Sequence, residues 1–254
     1  MKTNKFYKSR RILEFVQADF EPISSFYIQD DLNRNIWDDN NRLKQNIRKD
    51  LIEISNDYID FLEMDIDIID IQFTGSLANY NWSNFSDYDL HIILDKSKIS
   101  DDRELVEKYL ENSEKLWKYQ HEINIKGYPV EIFCQDVKDE GISTGVYSLI
   151  KDKWIVKPTK KDFKPDEILI KKKASRFMDA IDELKEDFED GKSYKEVKPM
   201  FKSLWKKIKD FRKSGLQDEG EFSIENLVFK LLRRNGYIQK FQDLKRKYYD
   251  QQFK

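Results

Sequence analysis

The stretch from residue 71 to residue 95, IQFTGSLANYNWSNFSDYDLHIILD, most constrains what this chain can fold into. Two apolar runs, each typical of a β-strand, are separated by Gly75-Ser76 and a polar segment rich in Asn and Ser. In the second run, Asp87 and Asp89 alternate with bulky neighbours, so a strand places both carboxylates on one face. Two carboxylates on one face, shortly after a Gly-Ser turn, can hold a hard cation against a phosphate. The stretch therefore predicts two strands and a cation site.

The spacing of apolar residues predicts regular elements on both sides of this stretch. The predicted elements are helices over 9–20, 42–64 and 101–120, strands over 66–73 and 87–94, a short helical turn over 76–80, and a hairpin formed by 122–125 and 130–133. Residues 146–150 are expected to begin a helix, and residues 154–165 are expected to be a linker. Four apolar stripes then predict a helical bundle, with the first three helices ending near Gly191, Gly215 and Gly236.

Charge is distributed unevenly along the 254 residues. Residues 1–150 carry 18 Lys and Arg against 29 Asp and Glu, a balance of −11, and residues 151–254 carry 28 against 19, a balance of +9. An acidic half suits a metal site and a basic half attracts polyanions, although solvated helix faces explain such charges equally well. We predict an α+β protein with a small mixed sheet flanked by helices in residues 1–160. Residues 161–254 are predicted to form a helical bundle that makes the other wall of a cleft.

The lone Cys134 cannot form an internal disulfide, and the chain has no apolar stretch of 18 residues. No signal-peptide core follows the N-terminal Met. The expected location is therefore a reducing cytoplasm, with no membrane contact.

A third carboxylate is expected on the hairpin. Glu131 stands between Val130 and Ile132, so on a strand it points away from its apolar neighbours. If this strand lies beside the one that carries Asp89, Glu131 joins the two aspartates. Glu122 and then Asp136 are the alternatives.

Gly75-Ser76, Asp87-Tyr88-Asp89-Leu90 and an acidic residue on a later strand together resemble the polymerase β-like nucleotidyltransferase superfamily over about residues 45–135. The sequences TGSLANYNW and SDYDLHIILD also resemble predicted nucleotidyltransferases of large tailed phages, and this likeness extends to TGVYSLIKDKW and GEFSIENLVFKLLRRNGY. A phage protein would act in the host cytoplasm. The third carboxylate of the superfamily is commonly Asp, so Glu131 is a departure from the pattern.

The resemblance implies transfer of a nucleoside monophosphate from an NTP, such as ATP, to a hydroxyl, with two Mg²⁺ or Mn²⁺ ions. Asp87, Asp89 and Glu131 are the expected catalytic and metal-binding residues. The expected nucleotide-binding residues are Gly75, Ser76, Ser143, Thr144, Tyr147 and Lys151. Tyr147 as core filler is equally consistent with the sequence.

The acceptor is expected to be a nucleic-acid 3′ end, extended without a template, because the second half of the chain is basic. The expected acceptor-binding residues are Lys202, Lys206, Arg233 and Arg234. Alternative acceptors are a small molecule, a protein or a second nucleotide that is built into a signalling oligonucleotide, and a non-catalytic nucleotide- or RNA-binding module is the alternative of another class. Tyr80 and Trp82 either stack on a base or make hydrophobic contacts. The sequence does not determine the oligomeric state.

Overall fold

The structure, a computed structural model, describes residues 21–139 and 143–253. They form two compact units, one spanning Ile28–Asp162 and the other joining residues 21–27 to residues 163–253. The first unit is a mixed sheet flanked by helices and the second is helical, which confirms the predicted α+β class. The predicted helix over residues 9–20 lies outside the described residues, as do residues 140–142.

The sheet of the first unit has six strands among the described residues, in the order β3-β4-β2-β1-β5-β6. Their bounds are β1 Ile68–Thr74, β2 Tyr88–Leu94, β3 Asn124–Ile125, β4 Tyr128–Asp136, β5 Val146–Ser148 and β6 Lys153–Val156. Strands β2 and β4 are parallel, and the other neighbouring strands are antiparallel. Parallel neighbours require a crossover connection, which is supplied here by a long helix between β2 and β4.

Two helices pack on one face of this sheet, α2 over Gln45–Phe61 and α3 over Arg103–Gln120. A short helix, α1, spans Glu21–Ser24 in the other unit. The apolar stripes of α2 and α3 and the inward residues of the strands form one core, which includes Leu51, Leu110, Phe73, Leu90 and Ile132. Because side chains alternate along a strand, the residues between these core positions point to the opposite face of the sheet.

Two expectations on the C-terminal side of this sheet are wrong. Residues 146–150 do not begin a helix, because Val146–Ser148 is strand β5, and Trp154 lies in strand β6 rather than in a linker. Strand β5 pairs with β1 through Tyr147 and Phe73, which fixes its conformation by a partner distant in sequence. Strands of three and four residues are too short for alternation to reveal them.

The second unit contains α4 over Glu167–Glu189, α5 over Tyr194–Asp218, α6 over Ile224–Arg234 and α7 over Tyr237–Gln251. Gly191 and Gly236 follow α4 and α6 with left-handed φ angles of 79° and 73°, as expected for helix ends. Gly215 instead lies inside α5, and a Cβ there would stand 2.4 Å from the Cβ of Glu225, so this glycine allows close helix packing. No helix in the described part of the chain is both long and apolar enough to cross a bilayer.

Candidate metal centre

Three carboxylates meet at one end of the parallel strand pair. Asp87 immediately precedes β2, Asp89 lies on β2, and Glu131 stands opposite Asp89 on β4. One oxygen from each residue lies within 4.8 Å of the other two, and all three residues are half-buried. Glu122 and Asp136 are not part of this group: Glu122 is exposed, and Asp136 is buried at the other end of β4, opposite Leu94.

The strand pattern explains why these side chains share a face. On β2, Tyr88, Leu90 and Ile92 point into the core, so Asp89 points away from it. On β4, Ile132 belongs to the same core, and Glu131 therefore lies on the face of Asp89. The parallel pairing aligns the two carboxylates, and this is the condition that the sequence alone left open.

Gly75 is shaped to accommodate Asp89. It follows β1 with a φ of 77°, a conformation that side chains with a Cβ rarely adopt. A Cβ at this position would stand 1.7 Å from Oδ2 of Asp89. Only glycine therefore leaves room for the Asp89 carboxylate beside the turn.

Ser76 begins a short 3₁₀ helix, Ser76–Ala78, which is shorter than the predicted helical turn. The Ser76 hydroxyl donates to Oγ of Ser86 at 2.7 Å, and the same oxygen accepts the Ser83 amide at 3.0 Å. These bonds tie the polar segment back onto the turn directly before Asp87. Ser76 therefore helps to place Asp87, a role that the sequence analysis did not anticipate.

Helix α3 supplies two contacts to β4. Lys118 donates to Oε1 of Glu131, and Glu114, one turn earlier, accepts the backbone N–H of Cys134 at 2.8 Å. Burial raises the pKa of Glu114, and the bond from Cys134 acts in the opposite direction. The helix thus covers the outer edge of β4 and sets a positive charge against the third carboxylate. Sequence reasoning missed both residues, because their partners lie on a strand that follows the helix.

A cleft of about 510 Å³ opens over the same sheet face. Its lining includes Thr74, Gly75, Asp89, Gln72, His91, Phe133, Gln135, Asp139 and Ser143. His91 and Gln135 are joined through Nδ1 and Oε1 at 2.8 Å, and burial lowers the pKa of His91. Because His91 and Gln135 occupy the strand positions two and four after Asp89 and Glu131, period-two alternation alone places them on this face. They are functional candidates that the sequence analysis passed over.

The remaining residues expected to bind nucleotide are dispersed. Ser143 lines the cleft and donates its hydroxyl to the Gly145 carbonyl at 2.9 Å, while Thr144 accepts a bond from the Asn79 amide. Tyr147 points to the core face, where its hydroxyl donates to Asp152 at 2.8 Å, and burial raises its pKa to about 12.

Lys151 stands 3.7 Å from Oδ2 of the buried Asp70. Neither Tyr147 nor Lys151 is among the described residues that line the cleft.

The residues expected to bind an acceptor lie in the second unit. Lys202 and Lys206 are exposed on α5, and Lys206 pairs with Asp210 one turn away. Arg233 is exposed at the end of α6, whereas Arg234 lies with its guanidinium carbon 4.7 Å from the centre of the Phe26 ring. The first three therefore present charge to solvent, and Arg234 contributes to packing.

Comparison with known proteins adds little. No protein-family model matches the chain, and no curated protein matches it significantly. Among solved structures, this chain is similar to a STING-associated CdnE c-di-GMP synthase from Capnocytophaga granulosa. The alignment covers 96% of this chain and 99% of the synthase, with 13% sequence identity and a TM-score of 0.21. A TM-score of this size does not establish a shared fold, and the site is therefore interpreted from its own residues.

Proposed function

We propose that this protein is a metal-dependent nucleotidyltransferase that moves a nucleoside monophosphate from an NTP to a hydroxyl acceptor. The observation that most supports this function is the group of three carboxylates formed by Asp87, Asp89 and Glu131. One oxygen of each lies within 4.8 Å of an oxygen of the other two, and Gly75 leaves room for the Asp89 carboxylate. Lys118 already pairs with one of these three carboxylates, and a divalent cation bound between all three would relieve their mutual repulsion. The all-oxygen donor set suits Mg²⁺ or Mn²⁺.

In this proposal, Asp87 and Asp89 would hold two divalent ions, and Glu131 would help to hold the one that serves the acceptor hydroxyl. When bound, the ions would lower the pKa of the attacking hydroxyl and neutralise charge on the triphosphate. Gly75 and Ser76 offer backbone amides to the triphosphate oxygens at the turn. The hydroxyl would release its proton to solvent, the bond from its oxygen to the α-phosphorus would form as the bond from that phosphorus to the bridging oxygen breaks, and pyrophosphate would leave.

We further propose that the acceptor is a nucleic-acid 3′ end, extended without a template. Support comes from the +9 balance of residues 151–254 and from the exposed Lys202, Lys206 and Arg233. Such cations bind phosphate backbones without reading sequence.

The test is incubation with Mg²⁺ or Mn²⁺, each labelled NTP, and RNA, DNA, protein, small-molecule or no added acceptor. We expect labelled nucleic acid, and we expect the D87N/D89N and E131Q variants to lose activity by about 100-fold or more, because each change removes a metal ligand. Glu122→Gln is the matched control, since it removes an exposed acid of the same type and should leave activity unchanged.

The other outcomes separate the alternatives. Labelled protein, labelled small molecule or a nucleotide product without added acceptor would reassign the acceptor but keep the chemistry. Nucleotide binding with no transfer to any acceptor would support a binding module. Transfer that persists in D87N/D89N would contradict the proposed mechanism.

A further inference from the structure

A second cavity, of about 310 Å³, lies in the first unit on the opposite face of the sheet from Asp89. Strand pairing fixes this placement, because Tyr147 stands beside the core residue Phe73 and also lines the cavity. The fully buried Leu32 and Tyr147 form its floor, and the half-buried rings of Tyr80 and Trp154 form its sides. Its volume is at the lower end of the range for small-molecule sites, roughly 300–1,000 Å³.

The walls of this cavity are fixed by packing and hydrogen bonds. Trp154 stacks on Trp37 with ring centroids 4.5 Å apart, and its indole N–H donates to the Asn41 carbonyl at 2.7 Å. The Tyr147 ring meets Trp154 edge-on at 5.1 Å. An aromatic surface held in this way loses little conformational entropy when a ligand packs against it.

Two of the residues around this cavity also have unusual backbone conformations. Asn41 and Asp152 both line it, with φ angles of 57° and 50°. Asp and Asn tolerate the left-handed region better than most residues, but a position there still has to be held by its surroundings. Asp152 is held by bonds from Tyr147 and from the Gln45 amide at 2.9 Å.

The rim of the cavity is cationic. Arg42 and Lys157 line it and are exposed, whereas Asp152 is the one acidic residue of the described lining. Lys153 also borders the cavity, but it pairs with Ser148 and precedes Trp154 on β6, so its side chain starts from the opposite face of the sheet. Asp152 already accepts two hydrogen bonds and lies 3.3 Å from Nε of Arg48. Within residues 21–139 and 143–253, Lys157 forms no ion pair, so its charge is available to an anion.

We propose that this cavity binds a nucleoside phosphate, with its base against Tyr80 and Trp154 and its phosphate at Lys157 and Arg42. Aromatic rings beside cations are the combination that binds single nucleotides and single strands, since every base has a π-face and every phosphate a negative charge. The ligand is either a free nucleotide or one residue of a single strand. This site is separate from the proposed transfer site, which occupies the other sheet face.

The test measures equilibrium binding to the full chain in EDTA, which removes divalent ions and so prevents metal-dependent binding at the proposed transfer site. The probes are AMP, ribose 5-phosphate and a short oligoadenylate. We expect AMP to bind more tightly than ribose 5-phosphate, and we expect the R42A/K157A variant to bind AMP about tenfold more weakly, because two charged contacts are lost. The matched control, R103A/K108A, removes an exposed arginine and an exposed lysine from α3 and should bind as the original chain does. D87N/D89N should also bind normally, so this test does not depend on transfer activity.

A second variant tests the base contact. Tyr80→Ala should reduce the preference for AMP over ribose 5-phosphate while leaving ribose 5-phosphate binding unchanged, and thermal unfolding checks that it remains folded. Binding of oligoadenylate but not AMP, weakened by R42A/K157A only, would identify a strand as the source of the nucleotide. The proposal fails if nothing binds, if ribose 5-phosphate binds as well as AMP, or if both double variants weaken binding equally.

Discussion

Gly75 has a backbone conformation that favours glycine, and it also lies directly beside the Asp89 carboxylate. An alanine there would meet Oδ2 of Asp89 at 1.7 Å and would also carry a φ of 77°. We predict that Gly75→Ala loses about 1–3 kcal/mol of stability, because a φ of 77° combined with an extended ψ of −164° is a conformation that only glycine adopts readily. We also predict that it lowers transfer activity by about 100-fold or more, because the Asp89 carboxylate must move. Denaturant unfolding and a transfer assay measure the two effects.

The matched control for this substitution is Gly127→Ala. Gly127 has a φ of 86°, and no atom lies within 4 Å of the position of an added Cβ. It should lose a similar amount of stability and keep its activity. Equal activities of the two variants would show that the space beside Asp89 does not matter.

Lys118 gives the second prediction at this scale. Its ammonium pairs with Glu131, and the two side chains are 68% and 24% exposed. An exposed pair is worth up to about 1 kcal/mol, and a divalent ion must compete with this ammonium for the same carboxylate. Lys118→Met should therefore raise Mn²⁺ affinity about two- to fivefold, with little change in stability. Mn²⁺ titration measures this, with Lys115→Met, one turn earlier, as control. A lower affinity would indicate instead that Lys118 holds Glu131 in place.

At the scale of elements, Glu114 on helix α3 makes the stability of the protein depend on pH. Burial raises the pKa of this carboxyl above its ordinary 4.5, so the folded state retains a proton that the unfolded state has released. Stability therefore falls as pH rises from 4.5 through the raised pKa. Glu114→Gln should remove this loss, so the difference in unfolding free energy between the variant and the original chain should grow as the pH rises above 4.5 and level off once the pH exceeds the raised pKa. Glu111→Gln, on the exposed side of α3, should show no such trend.

The elements that sequence reasoning found and missed differ in where their partners lie. Helices α2 and α3 and strands β1, β2 and β4 have long periodic patterns, and they lie within a few residues of the predicted bounds. Alternation alone predicted that Asp89 and Glu131 each point away from the apolar residues of their own strands, but not that the two strands are neighbours. Strands β5 and β6 were missed because pairing, of β5 with β1 and of β6 with β5, defines them rather than a local pattern. Lys118 and the cavity beside Trp154 were missed for the same reason, since each depends on contacts between segments far apart in the chain.

At the scale of the whole molecule, the separation of charge predicts how an acceptor binds. If Lys202 and Lys206 contact a phosphate backbone, each releases counterions, and the logarithm of affinity falls with the logarithm of salt concentration by about 0.7 per contact for a single strand. The K202A/K206A variant should therefore bind single-stranded RNA more weakly and lower this slope by about 1.4. Fluorescence anisotropy across a salt series measures it. K108A/K115A removes the same charge from the acidic half and should leave the slope unchanged. If both double variants reduce the slope equally, general charge explains the binding, and the acceptor must then be sought among ligands that do not depend on these lysines.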